Sequence, residues 1–360
     1  MKYRLNKFFL ILILFTLNFS FGYSQEFTQK PRNVILLIGN GMGLSHISSG
    51  MIKNGGELNM FRLKTIGLIK THSSDNLIPD SEASGTAIAT GAKTYNGAIA
   101  VDNDGNAVKS ILEIAKEQNK KTGIVVTSSI TNATPASFYA HRKSGRKDEQ
   151  IANDLVSSNV DVFVGGGRKY FGKRRDKEDL IFKLRKKKYN IVDNIKGIKN
   201  GIFNRKTAAL VSKEHLPKSK IRSDYLSQAW LKTFKKLNRN KDGFFMVIEG
   251  SHIGWASQAN NTDYMLNELL DFDKVVGEIM DFLAVDGETL VIVLANQATG
   301  GPVIVEGSLQ KKKVKVKWAT KKNTPDLVPV FAHGPGSEIF AGVYDNTEIF
   351  NKLKHLITNY

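Results

Sequence analysis

The sequence predicts an α/β fold with a mainly parallel central sheet and helices on both of its faces. Three observations lead there. Apolar β-type runs recur at Val34–Ile38, Gly123–Thr127, Val160–Val164, Phe244–Ile248, Thr289–Leu294 and Val328–Phe331. Stretches with helical spacing lie between them, at Val108–Gln118, Gln150–Val156, Tyr225–Leu237 and Leu266–Leu283. Hydrophobic residues fill 41% of the 360 positions, enough for one large core.

Ahead of the first strand, Lys2, Arg4 and Lys7 precede an apolar run from Phe8 to Leu17, with Gly22 and Ser24 near a cleavage point. That pattern predicts a secretory signal peptide over residues 1–24, since the run is shorter than the ~20 residues a membrane span needs. The expected product is exported, periplasmic or extracellular, with no transmembrane span once the signal is removed. It has no cysteine, so packing and any bound ions must stabilise it without disulfides. Residues 25–360 read as one domain, with no internal repeat and no Pro/Ser-rich linker. The lysine-rich stretch at about 173–220 is weakly patterned and reads as an insertion packed on the main sheet. The strand runs are continuously apolar, as strands covered on both faces must be. Strands alternating with helices make the sheet parallel, which places ligand-binding residues just beyond the carboxyl ends of the strands.

Fifty-two Lys and Arg against 34 Asp and Glu give a net charge of +18, and removing the three cations of the signal peptide leaves +15. Such a surface attracts polyanions. The densest runs, Arg185–Lys188 and Lys311–Lys317, lack interleaved aromatics and read as solvated faces, so no specific nucleic-acid partner is expected.

Two segments stand where chemistry belongs. Gly39, Asn40, Gly41, Met42 and Gly43 make a glycine-rich turn after the first strand, a signal that tight packing alone would also produce. Further on, Pro79, Asp80, Ser81, Glu82, Ala83, Ser84, Gly85 and Thr86 open a helix of small residues. The Ser81 hydroxyl would sit near unpaired backbone N–H groups and the positive end of the helix dipole, where a phosphate is favoured. Asp80 or Ser81 acting only as a helix cap explains the same residues, and spacing leaves both readings open.

Five segments, VILLIGNGMG, DSEASGTAIATGAKTYNGAIAVD, TNATPASFYAH, FFMVIEGSHIGWASQANN and TLVIVLANQATGG, resemble the alkaline phosphatase family in order and spacing. DVFVGGGRKYF and VPVFAHGPG support them, so the resemblance runs from Asn33 to Gly336. It implies an alkaline phosphatase-like fold, a serine nucleophile at Ser81, and two zinc ions and a magnesium ion at the carboxyl edge of the sheet. Paired metals suit phosphoryl transfer because they activate the attacking oxygen, stabilise the leaving one and offset the phosphoryl charge. Homodimerisation is also implied.

The ligand positions depart from the family pattern. Asn40 stands for the Asp shared between zinc and magnesium, Gly254 and Gln258 for an Asp and a His, Asn296 and Gln297 for an Asp-His pair, Asn323 for a His, and Asn132 for the Asp or His of the magnesium site. Thr134 and Glu249 remain. The phosphate-clamping arginine falls by count on Gly145, with Arg146 displaced by one. His46, His72, His141, His215, His252, His333 and His355 form no compensating cluster along the chain, although His252 lies near the altered segment.

Zinc prefers thiolate, imidazole or carboxylate, and a carboxamide is a weak neutral donor. The expected protein is therefore a pseudophosphatase without a metal cofactor that keeps a serine and anion pocket for phosphate or a phosphorylated small molecule. Two alternatives stand beside it. One is an active phosphomonoesterase, with zinc and magnesium as the resemblance implies, that uses rearranged ligands or one residual metal held by Glu249, Thr134 and Ser81, with Glu82 or an unplaced lysine as base. The other is an exported binding protein for anionic or phosphorylated ligands.

Overall fold

The computed structural model describes residues 30–199 and 206–358; the signal peptide expected over residues 1–24 lies outside the described residues. The strands in chain order are β1 (Asn33–Gly39), β2 (Thr65–Lys70), β3 (Lys121–Ser129), β4 (Val162–Gly166), β5 (Asn190–Val192), β6 (Thr207–Leu210) and β7 (Phe244–Gly250). They continue with β8 (Thr289–Leu294), β9 (Ala298–Thr299), β10 (Pro302–Ser308), β11 (Lys313–Trp318), β12 (Asn323–Thr324), β13 (Val328–His333) and β14 (Gly342–Asp345).

Ten of these build one sheet in the order β14-β2-β13-β8-β1-β7-β3-β4-β6-β5. The central strands β1, β7 and β8 are buried at every position. Their continuous apolar runs are what a doubly covered parallel strand requires, and β1 pairs parallel with both neighbours. The exception within this sheet is β13, antiparallel to both β8 and β2. Its amino end therefore lies at the edge where the parallel strands end, which brings the chain before it to the same rim as the loops after β1, β3, β7 and β8.

Local chemistry sets the helix boundaries. The expected helix at Val108–Gln118 starts later, at Ile111, because Ser110 and Glu113 form a capping box there. The helix Ser81–Thr90 is capped by Asp80, whose side chain accepts the Ala83 N–H at 2.8 Å, and it stops at Gly91, left-handed at φ +71°. Asp80 is thus the cap, which leaves the Ser81 hydroxyl free of that duty. Small side chains let this helix sink into the protein: Ala83 to Thr90 are all buried, and a Cβ on Gly85 would lie 2.8 Å from Ser137 Oγ.

Three expectations shift. The run Val160–Val164 becomes β4 two residues later, and the basic stretch 173–220 contributes β5 and β6, which extend the main sheet from β4. The lysine run after Gln310 contains a strand, β11, paired antiparallel with β10. No helix among the described residues is long and apolar enough to cross a membrane.

Candidate active site

The ends of four strands deliver the polar residues. Asn40 follows β1, Thr134 follows β3, Glu249 is the penultimate residue of β7, and Asn296 and Gln297 follow β8. The tight turn at Gly41 (φ +72°) is what allows this convergence, since a Cβ there would meet Thr299 Oγ1 at 2.5 Å and Gly254 Cα at 2.9 Å.

The side chains close on one another. Asn40 Nδ2 donates to Glu249 Oε1 at 3.1 Å and Thr134 Oγ1 at 3.3 Å, while its Oδ1 accepts from Gln297 Nε2 at 3.2 Å. Gln297 Nε2 also donates to Ser81 Oγ at 3.0 Å, and its Oε1 lies 2.6 Å from the Ser84 hydroxyl, whose single proton it shares with Asp80 O, also at 2.6 Å. Asn296 Nδ2 donates to Thr134 Oγ1 at 3.2 Å, and its Oδ1 accepts from the N–H groups of Gly41 and Gln297, both at 3.1 Å. Every amide oxygen here faces a donor and every amide nitrogen faces an acceptor, the arrangement that buried polar groups require.

Glu249 is fully buried, and burial pushes its carboxyl above the usual range despite hydrogen bonds from Ser251, Asn40, Thr134 and Ser128. Ser251 is the closest of these, at 2.5 Å. Gly254 presses on Asn40: a Cβ at position 254 would sit 2.6 Å from Asn40 Oδ1. Asn323 bridges the rim, accepting from Thr299 Oγ1 at 2.9 Å and donating to Pro79 O at 2.9 Å.

Other expected positions take no part in this network. Gln258 is exposed at the end of the helix His252–Gln258, and Asn132 is half-buried without a capping bond. Arg146 is exposed, while Gly145 faces the serine helix, where a Cβ would come 2.6 Å from Glu82 Cγ. Burial, then the charge of Asp80, pushes Glu82 up to about 7, with Arg146 opposing. His252 is a core histidine: Nε2 meets Thr127 O at 3.1 Å and Nδ1 meets Tyr264 OH at 2.7 Å, so neither ring nitrogen is left for a metal. The sequence alone assigns no role to Ser84, Ser128 or Ser251; the one available signal is the spacing of Ser84, one helical turn after Ser81 and hence on its face.

His46 supports the same floor. Its Nδ1 accepts the Gly43 N–H at 3.1 Å, so Nε2 carries the proton toward Ser257 Oγ at 3.0 Å. A second proton would break the Gly43 bond in a fully buried place, and burial lowers the pKa from 6.5 to about 4. The folded value lies below the unfolded one, so this stabilisation is complete above pH 6.5 and is lost as pH falls toward 4. It amounts to ~3 kcal/mol. Denaturant titrations from pH 7 to 4 should show stability falling, with a shallower slope in His46→Gln; an unchanged slope in that variant contradicts the assignment.

The profile for alkaline phosphatase matches residues 31–308 of this sequence. The chain belongs to the alkaline phosphatase family. Alkaline phosphatase 4 and alkaline phosphatase 3 of Bacillus subtilis (strain 168) are 32% and 34% identical, over 90% and 88% of this chain and 89% and 87% of theirs. The structure of alkaline phosphatase from the Antarctic bacterium TAB5 superposes with a TM-score of 0.86 at 41% identity, over 92% of this chain and 98% of that one. A mutant of the TAB5 alkaline phosphatase with magnesium bound is as similar, with a TM-score of 0.87. The alkaline phosphatase fold thus accounts for the sheet.

Proposed function

We propose that this alkaline phosphatase relative has lost the metal cluster, and phosphate-ester hydrolysis with it, while keeping a serine-centred pocket for phosphate or a phosphorylated small molecule. The observation that carries this reading is the closed network of Asn40, Gln297, Asn296, Thr134 and Glu249 around Ser81.

Zinc and magnesium do not fit the residues present. Vacant metal ligands would leave lone pairs pointing into a common space, whereas here the amide oxygens already accept N–H or O–H groups. Glu249 is the single carboxylate among the inherited ligand positions, too little charge to hold several dications together. Among the described residues, no three His, Cys, Asp or Glu side chains converge as a substitute.

Ser81 meets the same limit. Its oxygen accepts from the Gln297 amide, a group that cannot remove a proton, and an unactivated serine is a poor nucleophile near neutral pH. Its hydroxyl remains able to donate to an anion at the start of its helix, where the dipole favours negative charge. Arg146, whose charge is felt at Glu82, adds a cation at the pocket edge.

Calorimetric titration with orthophosphate in the presence of chelator tests the pocket. Saturable binding is expected, weakened at least about tenfold, or roughly 1.4 kcal/mol, in Ser81→Trp. Binding that is absent, or unchanged in a folded Ser81→Trp, overturns the reading.

A further inference from the structure

The chain leaves the site at β9, runs out along β10, returns along β11 and re-enters the rim at β12, so Gln297 and Asn323 stand at the two roots of this hairpin. One face packs inward. A Cβ at Gly307 would lie 3.3 Å from Ile52, and Trp318 Nε1 donates to Thr262 Oγ1 at 3.1 Å.

The other face is exposed and charged. Register pairs Val303 with Lys317, Glu306 with Lys315, and Ser308 with Lys313, which puts the three lysines on one side about 7 Å apart along the strand. Lys311 and Lys312 add two cations at the turn, so the hairpin carries five lysines against Glu306, which pairs with Lys315 at 2.9 Å. Exposed apolar side chains sit among them: Leu309 at the tip is 48% exposed and Val303 56%.

That combination selects the partner. A polyanion held by charge alone has no use for a bare leucine at the tip, and a single-stranded nucleic acid wants aromatic platforms, whereas Trp318 on this hairpin is turned inward. A bilayer uses both features, because headgroup phosphates face the lysines and the interfacial region accepts Leu309. We propose that the β10–β11 hairpin docks on an anionic phospholipid surface, holding the serine pocket close to the headgroups.

Co-sedimentation with phosphatidylglycerol/phosphatidylcholine vesicles, against pure phosphatidylcholine, tests this on the full chain and its variants. Each lysine is worth about fivefold in partitioning, so Lys311→Gln, Lys313→Gln and Lys317→Gln together should weaken binding to the anionic vesicles about 100-fold. Leu309→Ser should weaken vesicle binding while leaving retention by a single-stranded oligonucleotide unchanged. Arg185→Gln, Lys186→Gln and Lys188→Gln, which remove equal charge elsewhere, should have under about a fifth of the hairpin triple's effect. The proposal is overturned if the two triples behave alike, if anionic lipid is not preferred, or if Leu309→Ser does not affect vesicle binding. These substitutions lie away from Ser81, so phosphate titration of the same proteins separates failure of the hairpin from failure of the pocket.

Discussion

A variant carrying Asn40→Asp, Gly254→Asp, Gln258→His, Asn296→Asp, Gln297→His and Asn323→His is expected to take up about two zinc ions per chain and to gain chelator-sensitive release of phosphate from an aryl phosphate. A complete zinc site contributes roughly 10 to 16 kcal/mol of apparent binding energy, so the variant should melt far higher with zinc than without it. The unaltered chain should show no such difference. The gain requires the whole set. Asn40→Asp alone places a second buried carboxyl beside Glu249, now 3.1 Å from the amide nitrogen, and two such groups cannot both ionise without a cation. Gly254→Asp alone drives its Cβ into Asn40. Neighbouring changes of this kind are strongly non-additive. Equilibrium dialysis on the folded six-fold variant checks the outcome. Failure to take up zinc would mean that the surrounding shell has changed along with the ligands.

The fold was largely legible. Buried parallel strands declare themselves as continuous apolar runs, and β1, β7 and β8 did so, with β8 matching the expected Thr289–Leu294 at both ends. Less legible were the strands whose burial is partial. β2 has only two fully buried positions, Gly67 and Ile69, and β11 alternates lysine with half-buried Val314, Val316 and Trp318, a period of two that looks like a charge run when only the lysines are counted.

At the site, spacing located the segments but could not show their mutual satisfaction. Asn40, Asn296 and Gln297 come from distant loops, and whether three amides solvate one another or point at empty space depends on angles that a sequence does not encode. The same limit applies to Gln258: the resemblance marks it as a ligand position, and it ends its helix exposed, outside the amide network. Gly145 and Glu82 show the converse, a contact between residues 63 apart that fills the place where an arginine was expected.

The proposed loss of hydrolysis rests on which atoms face Ser81. A serine hydroxyl must shed its proton to a base or into a metal–oxygen bond, and the group seen at its oxygen is the Gln297 N–H, itself held by Asn40. Elemental analysis of the purified, unaltered protein, equilibrated with excess zinc and then desalted, paired with an aryl phosphate assay on the same sample, tests this most directly. The expected result is zinc far below one ion per chain and a turnover that neither chelator nor Ser81→Ala changes. Two tightly held zinc ions per chain, with hydrolysis abolished by both treatments, would contradict it.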